Sequence, residues 1–324
     1  MGYKPYKVED STADILEQLK AKFDATSQDM NTFLKGLSVS NYITYWDYIH
    51  LDTLLTLQKP KTDIPDEEIF IVYHQITELF FRLSINELKQ ITEFQEIDSE
   101  FFIRKVLRVN RYFKVLSHSF DIMSKGLDPK QYLKFRDALA PASGFQSFQY
   151  RVIEIMSTEL LNLVEKSARS QFTKDSSVDE MFEHIYWKKG ANDAQTGKKT
   201  YTLIQFEEKY QDMLLNLARE MRNKNIWACY ERLKEHEKPE PLIEALKQLD
   251  ADVNVNWPLS HFRTAVQYLV KGQKPLRATG GSNWREYLRP KIQQRMFYPE
   301  LWTEEERLNW GRNKIDVIFS EINS

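Results

Sequence analysis

The sequence predicts an all-α protein: a helical bundle-like domain with additional helices. Three observations carry that expectation. Only 10 glycines and 11 prolines punctuate 324 residues. Long stretches rich in Leu, Glu, Lys, Gln and Ile lie between them, and the apolar residues in those stretches recur at the helical period. A hydrophobic content of 42% over this length suffices for one large core or two smaller ones. No repeat, low-complexity tract or long linker divides the chain, so residues 1–324 are expected to form a single domain.

Taken in order, the first helix is expected over Thr12–Asp24. The segment from Tyr42 to Leu55 is unusually aromatic and sets Tyr45, Tyr48 and Ile49 at i, i+3 and i+4 on one helical face. Core packing is the default reading of that face; an apolar wall for a flat ring is the functional one. Pro65 followed by Asp66, Glu67 and Glu68 supplies a helix start with carboxylates at the positive end of the dipole. From Asp66 to Gln90, Ile69, Val72, Ile76, Leu79 and Leu83 form one apolar stripe, and Phe70, Tyr73, Thr77 and Phe81 form a second, which predicts a helix buried on two sides. His74 follows Phe70 by one helical turn and shares its face. Further helices are expected over Glu100–Met123, Pro129–Ala138, Phe148–Lys166, Ile204–Asn223, Glu240–Leu249 and His261–Val270. Residues 187–200 read as a polar surface loop.

Composition excludes several function classes. Lys and Arg number 45 against 47 Asp and Glu, a net charge of -2, so no nucleic-acid surface driven by bulk charge is expected. The single cysteine, Cys229, leaves no intramolecular disulfide and no cysteine-rich metal site, which points to a cytoplasmic setting. No apolar run approaches the roughly 20 residues of a membrane span, and Met1 to Asp10 offers neither a signal core nor a myristoylation acceptor. The six histidines, His50, His74, His118, His184, His236 and His261, include no zinc spacing; C-x-x-C-H and G-x-S-x-G are also missing. A non-covalent haem held by one histidine survives these eliminations.

The candidate site residues each have a plainer reading. A lone histidine among apolar neighbours, such as His74, is more often a hydrogen-bonded core residue, and His261 sits where a helix-start histidine would. Arg136, between Phe135 and Asp137, could form a surface ion pair, yet its guanidinium fork also suits a carboxylate, and Tyr132 one turn earlier would share its face. The stretch from Arg277 to Asn283 could be a simple turn, though a hydroxyl at Thr279 beside Gly280 and Gly281 lets backbone N–H groups approach an anion closely.

In order along the chain, these segments resemble tryptophan 2,3-dioxygenase over residues 30–290. The runs that carry the resemblance are Tyr48-Ile49-His50-Leu51-Asp52 with Leu54, Leu55 and Gln58; Phe70 with His74-Gln75 and Glu78-Leu79; Phe135-Arg136-Asp137 with Pro141-Ala142-Ser143-Gly144-Phe145-Gln146-Ser147-Phe148-Gln149-Tyr150-Arg151; and Thr279-Gly280-Gly281-Ser282. The resemblance implies a homotetrameric helical enzyme that binds haem b and keeps its iron ferrous (Fe2+). Such an enzyme adds both atoms of O2 across the indole C2–C3 bond of L-tryptophan to give N-formylkynurenine, the first step of tryptophan catabolism by the kynurenine pathway. It implies that His261 is the proximal iron ligand and that His74, on the distal side, accepts a hydrogen bond from the indole N–H, with orientation as its first role and base catalysis its second. By the same resemblance Arg136 clamps the substrate carboxylate, Thr279 contacts the amino-acid end and Tyr132 adds a hydrogen bond. Phe70 and Leu139 line the indole pocket, and Ser143 and Gly144 lie against the haem. Tyr45, Tyr48 and Ile49 reach into a neighbouring subunit's pocket, and residues 1–40 contact that subunit. Three other readings stay open on sequence: a related haem-dependent oxygenase acting on another indole or aromatic substrate, a haem-based O2 sensor without turnover, and a purely structural helical protein in which both histidines are core residues.

Overall fold

The computed structural model describes residues 9–40, 44–94, 98–193, 196–269 and 294–311. The chain divides into two compact units, Met1–Gln58 and Lys59–Ser324. Among the described residues there is no strand, only isolated bridges Val164 to Ile185 and Asn192 to Lys199, so the all-α expectation holds. No described helix is long and apolar enough to cross a membrane.

The first unit holds α1 (Asp10–Ala25), α2 (Met30–Val39), α3 (Tyr45–Tyr48) and α4 (Leu51–Leu54). Asp29 starts α2 by accepting the N–H groups of Asn31 and Thr32. Phe23 and Phe33 pack their rings 4.7 Å apart. His50, in the left-handed region at φ 53, separates α3 from α4, so Tyr45, Tyr48 and Ile49 share a single turn rather than a long helical face.

The second unit contains α5 (Asp66–Glu93), α6 (Ser99–Gly126), α7 (Pro129–Phe135), α8 (Phe148–Ser157), α9 (Leu160–Leu163), α10 (Val178–Glu183) and α11 (Tyr186–Gly190). These are followed by α12 (Tyr201–Met221), α13 (Ile226–Arg232), α14 (Glu240–Ala251), α15 (Trp257–Leu269) and α16 (Glu304–Leu308). Side-chain oxygens begin many of them: Asp98 accepts from Phe101, Asp128 from Lys130, Ser147 from Tyr150 and Asn225 from Ala228. The core lies where α6 packs between α5 and α14 and where α8 backs α5. Leu88 and Ile91 of α5, Phe102, Val106, Val109, Phe113 and Leu116 of α6, Ile153 of α8, and Leu242, Leu246 and Leu249 of α14 are fully buried there. Each stabilises the fold by about 1.5–3 kcal/mol relative to an exposed side chain.

Three expectations are corrected. Helix α5 is not buried on two sides: Tyr73, Phe81, Ile85 and Leu88 face the core, whereas Ile76, Leu79 and Leu83 remain 37%, 55% and 44% exposed. A stripe is covered only where another layer packs on it, and α6 and α8 both pack on the Phe81 side. The helix expected over Phe148–Lys166 breaks after Ser157, where the Thr158 hydroxyl donates to the Phe297 carbonyl and Asn162 reaches the same oxygen. Finally, of residues 187–200, Trp187 and Lys188 are buried within α11 and only the later part is exposed chain. The aromatic pair Tyr186-Trp187 is drawn inward by burial and by the Arg151 guanidinium stacked on both rings.

Two buried polar centres tie the segment 294–311 to the bundle. Glu154 of α8 accepts from Arg151 and Arg295 and from the Tyr186 hydroxyl. Asp250 of α14 accepts from the backbone N–H groups of Phe297 (2.8 Å) and Tyr298 (3.1 Å), the Trp302 indole (2.9 Å) and the Asn254 amide (2.8 Å). Burial pushes the Asp250 carboxyl up to about 6 even though these donors pull the other way. Cys229 of α13 is also buried, its sulfur near the Ile91 and Lys224 carbonyls and the Arg232 guanidinium.

Candidate functional site

Helix α5 sets His74 from its own backbone. Its Nδ1 lies 2.7 Å from the Phe70 carbonyl oxygen, one turn back. A carbonyl only accepts, so in the neutral ring Nδ1 carries the hydrogen and Nε2 keeps its lone pair. The Phe70 ring packs on the imidazole at 4.1 Å between centroids, and Tyr73 meets it edge-on at 5.7 Å. Burial is the main reason the His74 pKa lies below the ordinary imidazole value; the Phe70 carbonyl and Glu78 oppose it. His74 is nonetheless open to water-sized molecules.

His261 arrives by another route. Helix α14 runs without interruption through a π-helical stretch, Asp252–Asn256, into α15. The Tyr150 hydroxyl donates to the Val253 carbonyl inside that stretch, and Asn256 donates to Asp252. The wider turn rotates everything beyond it relative to α14. It places Trp257 against Phe81 and Phe120, and His261 one turn later in a stack with Phe120 at 5.8 Å and 21°. Burial depresses the His261 pKa to about 4, with His74 as the second cause. Two imidazoles far apart in sequence therefore stand within electrostatic reach of one another, both neutral near pH 7. No hydrogen-bond partner of the His261 ring occurs among the described residues. A Cβ placed on Gly144 would stand 3.4 Å from His261 Cε1, so a larger residue there would press on the imidazole.

The remaining residues converge on the same place from α7 and the turn that follows it. Helix α7 ends at Phe135, and Arg136 opens a 3-10 turn, Arg136–Leu139, that stops short of the expected α-helix to Ala138. Tyr132 and Arg136 remain one turn apart, and Arg136 is 7% exposed. Its Nε is 3.9 Å from Asp137, a surface carboxylate. Tyr132 and Phe135 lie 6.3 and 5.8 Å from Phe70, and burial raises the Tyr132 hydroxyl pKa, leaving it a proton donor. Leu139 is half-buried. Ser143 and Gly144 sit in a turn held from both sides: the Ser143 N–H donates to Gln146, whose amide donates to the Thr202 carbonyl of α12. Gln149 fastens α8 to Glu78, one turn beyond His74.

The structure thus brings Phe70, His74 and Tyr132 together, with Arg136 one turn from Tyr132, and sets Gly144 against His261, which is within electrostatic reach of His74. Tyr45, Tyr48 and Ile49 belong to the first unit, where all three are exposed. Thr279 lies outside the described residues. Sequence reasoning missed Phe120, Trp257 and Tyr268. Trp257 and Tyr268 stand four before and seven after His261, on its helical face, which is the signal that could have found them.

Among the described residues no group of three potential ligands could hold a metal ion from solution. A neutral, desolvated imidazole with no competing hydrogen bond is a good single axial donor for a metal whose other positions are already filled. The second imidazole, with its Nε2 lone pair free, suits an N–H donor held opposite. A buried guanidinium nearby suits an anion.

The family model described as tryptophan 2,3-dioxygenase matches residues 29–189. A protein named tryptophan 2,3-dioxygenase from Ruegeria sp. (strain TM1040) is 30% identical over 279 residues, covering 82% of this chain and 93% of that protein. One of the same name from Bacillus thuringiensis subsp. konkukian (strain 97-27) is 30% identical over 270 residues with the same coverages. Another, from Shewanella woodyi (strain ATCC 51908 / MS32), is 31% identical over 275 residues, covering 81% and 90%. Similarity at this level spans nearly the whole of each relative and both histidine-bearing helices of this chain, and the chain belongs to the tryptophan 2,3-dioxygenase family.

Proposed function

We infer that this chain is a haem-dependent dioxygenase that cleaves the indole C2–C3 bond of L-tryptophan with O2 to give N-formylkynurenine. The observation that carries the reading is the pair of imidazoles, His74 and His261, within electrostatic reach of one another among aromatic rings, with Tyr132, one turn from the buried Arg136, packed toward Phe70. Family membership supplies the reaction; the pair suits its chemistry.

His261 would hold haem b through one of its imidazole nitrogens, neither of which has a hydrogen-bond partner among the described residues, with Ser143 and Gly144 against the ring system. Ferrous haem, when bound, would bind and activate O2, while the indole ring itself supplies the electrons that O2 takes up. The chain's own residues bind and orient. Arg136 would take the substrate carboxylate bidentately, Tyr132 would donate its hydroxyl to the same group, and Thr279 would meet the amino-acid end. Phe70 and Leu139 would flank the indole. His74 Nε2 would accept the indole N–H, fixing which edge of the ring faces the reacting centre. Its Nδ1 proton, held by the Phe70 carbonyl, keeps that lone pair aimed at substrate.

The assembly we propose is a homotetramer in which Tyr45, Tyr48 and Ile49 of one subunit complete the recess of another, with residues 1–40 at the same contact. Two exposed surfaces support it: Tyr45 and Tyr48, 71% and 72% exposed, and the open stripe of Ile76, Leu79 and Leu83. Apolar surface of this kind marks interfaces. The cytoplasm is the proposed compartment, on the single reduced cysteine.

The test is anaerobic reduction of the haem-loaded protein, addition of L-tryptophan, then isotopically labelled O2, with the product identified by mass. N-formylkynurenine carrying both labelled atoms is expected. Oxygen binding without product would favour a sensor, and turnover only of other indoles would favour a different substrate.

A further inference from the structure

Helix α7 has seven residues, too few to hold itself in place, yet it presents Tyr132 and leads directly into Arg136. What fixes it is a two-sided brace. From α5, the Asp66 carboxylate accepts the Asp128 N–H at 2.6 Å, and the Asp66 N–H donates to the Gln131 side chain at 3.3 Å. The start of the His74 helix and the start of α7 are thereby joined reciprocally. From α15, Tyr268 reaches over the other end of the junction. Its hydroxyl hydrogen-bonds with the Met123 carbonyl and lies 3.2 Å from the Leu127 carbonyl, and its ring packs 4.9 Å from that of Tyr132. Tyr268 is 4% exposed and belongs to the cluster with Tyr73, Phe120, Met123 and Leu127, against which Phe70 and Tyr132 also pack. The two carbonyls are end groups of α6, which a helix terminus leaves without intrahelical donors.

We propose that Asp66 and Tyr268 are positioning residues for substrate selection: together they set the distance from His74 to Arg136, so that a ligand must carry its carboxylate at one fixed reach from an indole N–H. The inference rests on the substrate reading above and adds what makes the site prefer an amino acid to a bare indole. Neither residue needs to touch the ligand. Each acts through α7, by its backbone or by the Tyr132 ring.

The experiment measures equilibrium binding of two probes, L-tryptophan and 3-methylindole, to the anaerobic haem-loaded protein. The set is wild type, Asp66→Ala, Asp66→Asn, Tyr268→Phe and the Asp66→Ala/Tyr268→Phe double variant, with melting temperature followed alongside. Expected is a loss of about tenfold in L-tryptophan affinity for Asp66→Ala and for Tyr268→Phe, the size of one lost hydrogen-bonded constraint. 3-Methylindole binding should stay within twofold of wild type. Asp66→Asn keeps a carbonyl acceptor for the Asp128 N–H and should recover most of the affinity. Equal weakening of both probes, or a melting shift without selective loss, overturns the proposal, because a merely structural role predicts that result. Wild type that binds 3-methylindole but not L-tryptophan removes the substrate reading and this inference with it. Wild type that binds L-tryptophan, with variants showing no selective loss, removes this inference alone.

Discussion

The two imidazoles of the site are held in opposite ways. His74 is fixed by its own helix: the carbonyl one turn back claims one nitrogen and thereby dictates what the other does. His261 is fixed by its surroundings: a π-helical stretch turns it into place, Phe120, itself packed on Trp257, stacks on its ring, and neither ring nitrogen has a partner among the described residues. The difference teaches a division of work. A ring with one nitrogen committed is suited to orienting a donor, and a ring with both uncommitted is suited to ligation.

The comparison breaks most completely at His261. His261→Ala should abolish tight haem binding, read by titrating haem into the apo protein; an unchanged absorption spectrum at full occupancy would sink the assignment. Arg136→Ala should keep its haem but lose about 30- to 1000-fold in kcat/KM for L-tryptophan, corresponding to about 2–4 kcal/mol for leaving a charged partner unpaired. His74→Leu sharpens the contrast. Loss of one orienting hydrogen bond should lower kcat/KM by about tenfold, whereas a loss beyond about 100-fold would assign proton transfer to His74 as well. The smallest effect on the site is expected from Asp250→Ala. It strands the N–H groups of Phe297 and Tyr298 and the Trp302 indole, and should lower unfolding stability by about 2–4 kcal/mol with substrate affinity little changed, as read by denaturant titration.

The acid side of the pH profile tests both rings together. Burial holds each imidazole below the ordinary value, His261 at about 4. The unfolded chain, with histidines near 6.5, therefore takes up protons first. The contribution of the two rings to the stability of the apo protein should fall as pH drops from about 6.5 toward 4, against the opposite contribution of Asp250, whose raised carboxyl pKa favours the folded state over the same window. Above that window both rings are neutral in either state, and their contribution is flat.

Much of this was legible in the sequence because helices announce themselves. The Phe70, Tyr73, Thr77 and Phe81 stripe located α5, and the i to i+4 spacing of Phe70 and His74 put both in one recess. The exposure of the Ile76, Leu79 and Leu83 stripe was not legible, since periodicity states which residues share a face and not what covers that face. The break after Ser157 depends on Thr158 meeting the Phe297 carbonyl across a long separation in sequence, which no local pattern encodes. The π-helical stretch leaves no compositional mark, because one widened turn uses the same residues as an ordinary one. Arg136 and His261 were found through the family resemblance more than through their own surroundings. In sequence, nothing separates Asp250 from a solvated carboxylate near a helix end.

Cys229 offers a practical consequence of the packing described above. It is 1% exposed, burial raises its thiol pKa, and it is the sole thiol in the chain. A thiol reagent should therefore stay off the native protein until the contact between α13 and α5 opens. The rate of labelling at that one sulfur becomes a clock for the opening of the bundle, and adding haem or substrate should slow it in proportion to how firmly each closes the structure.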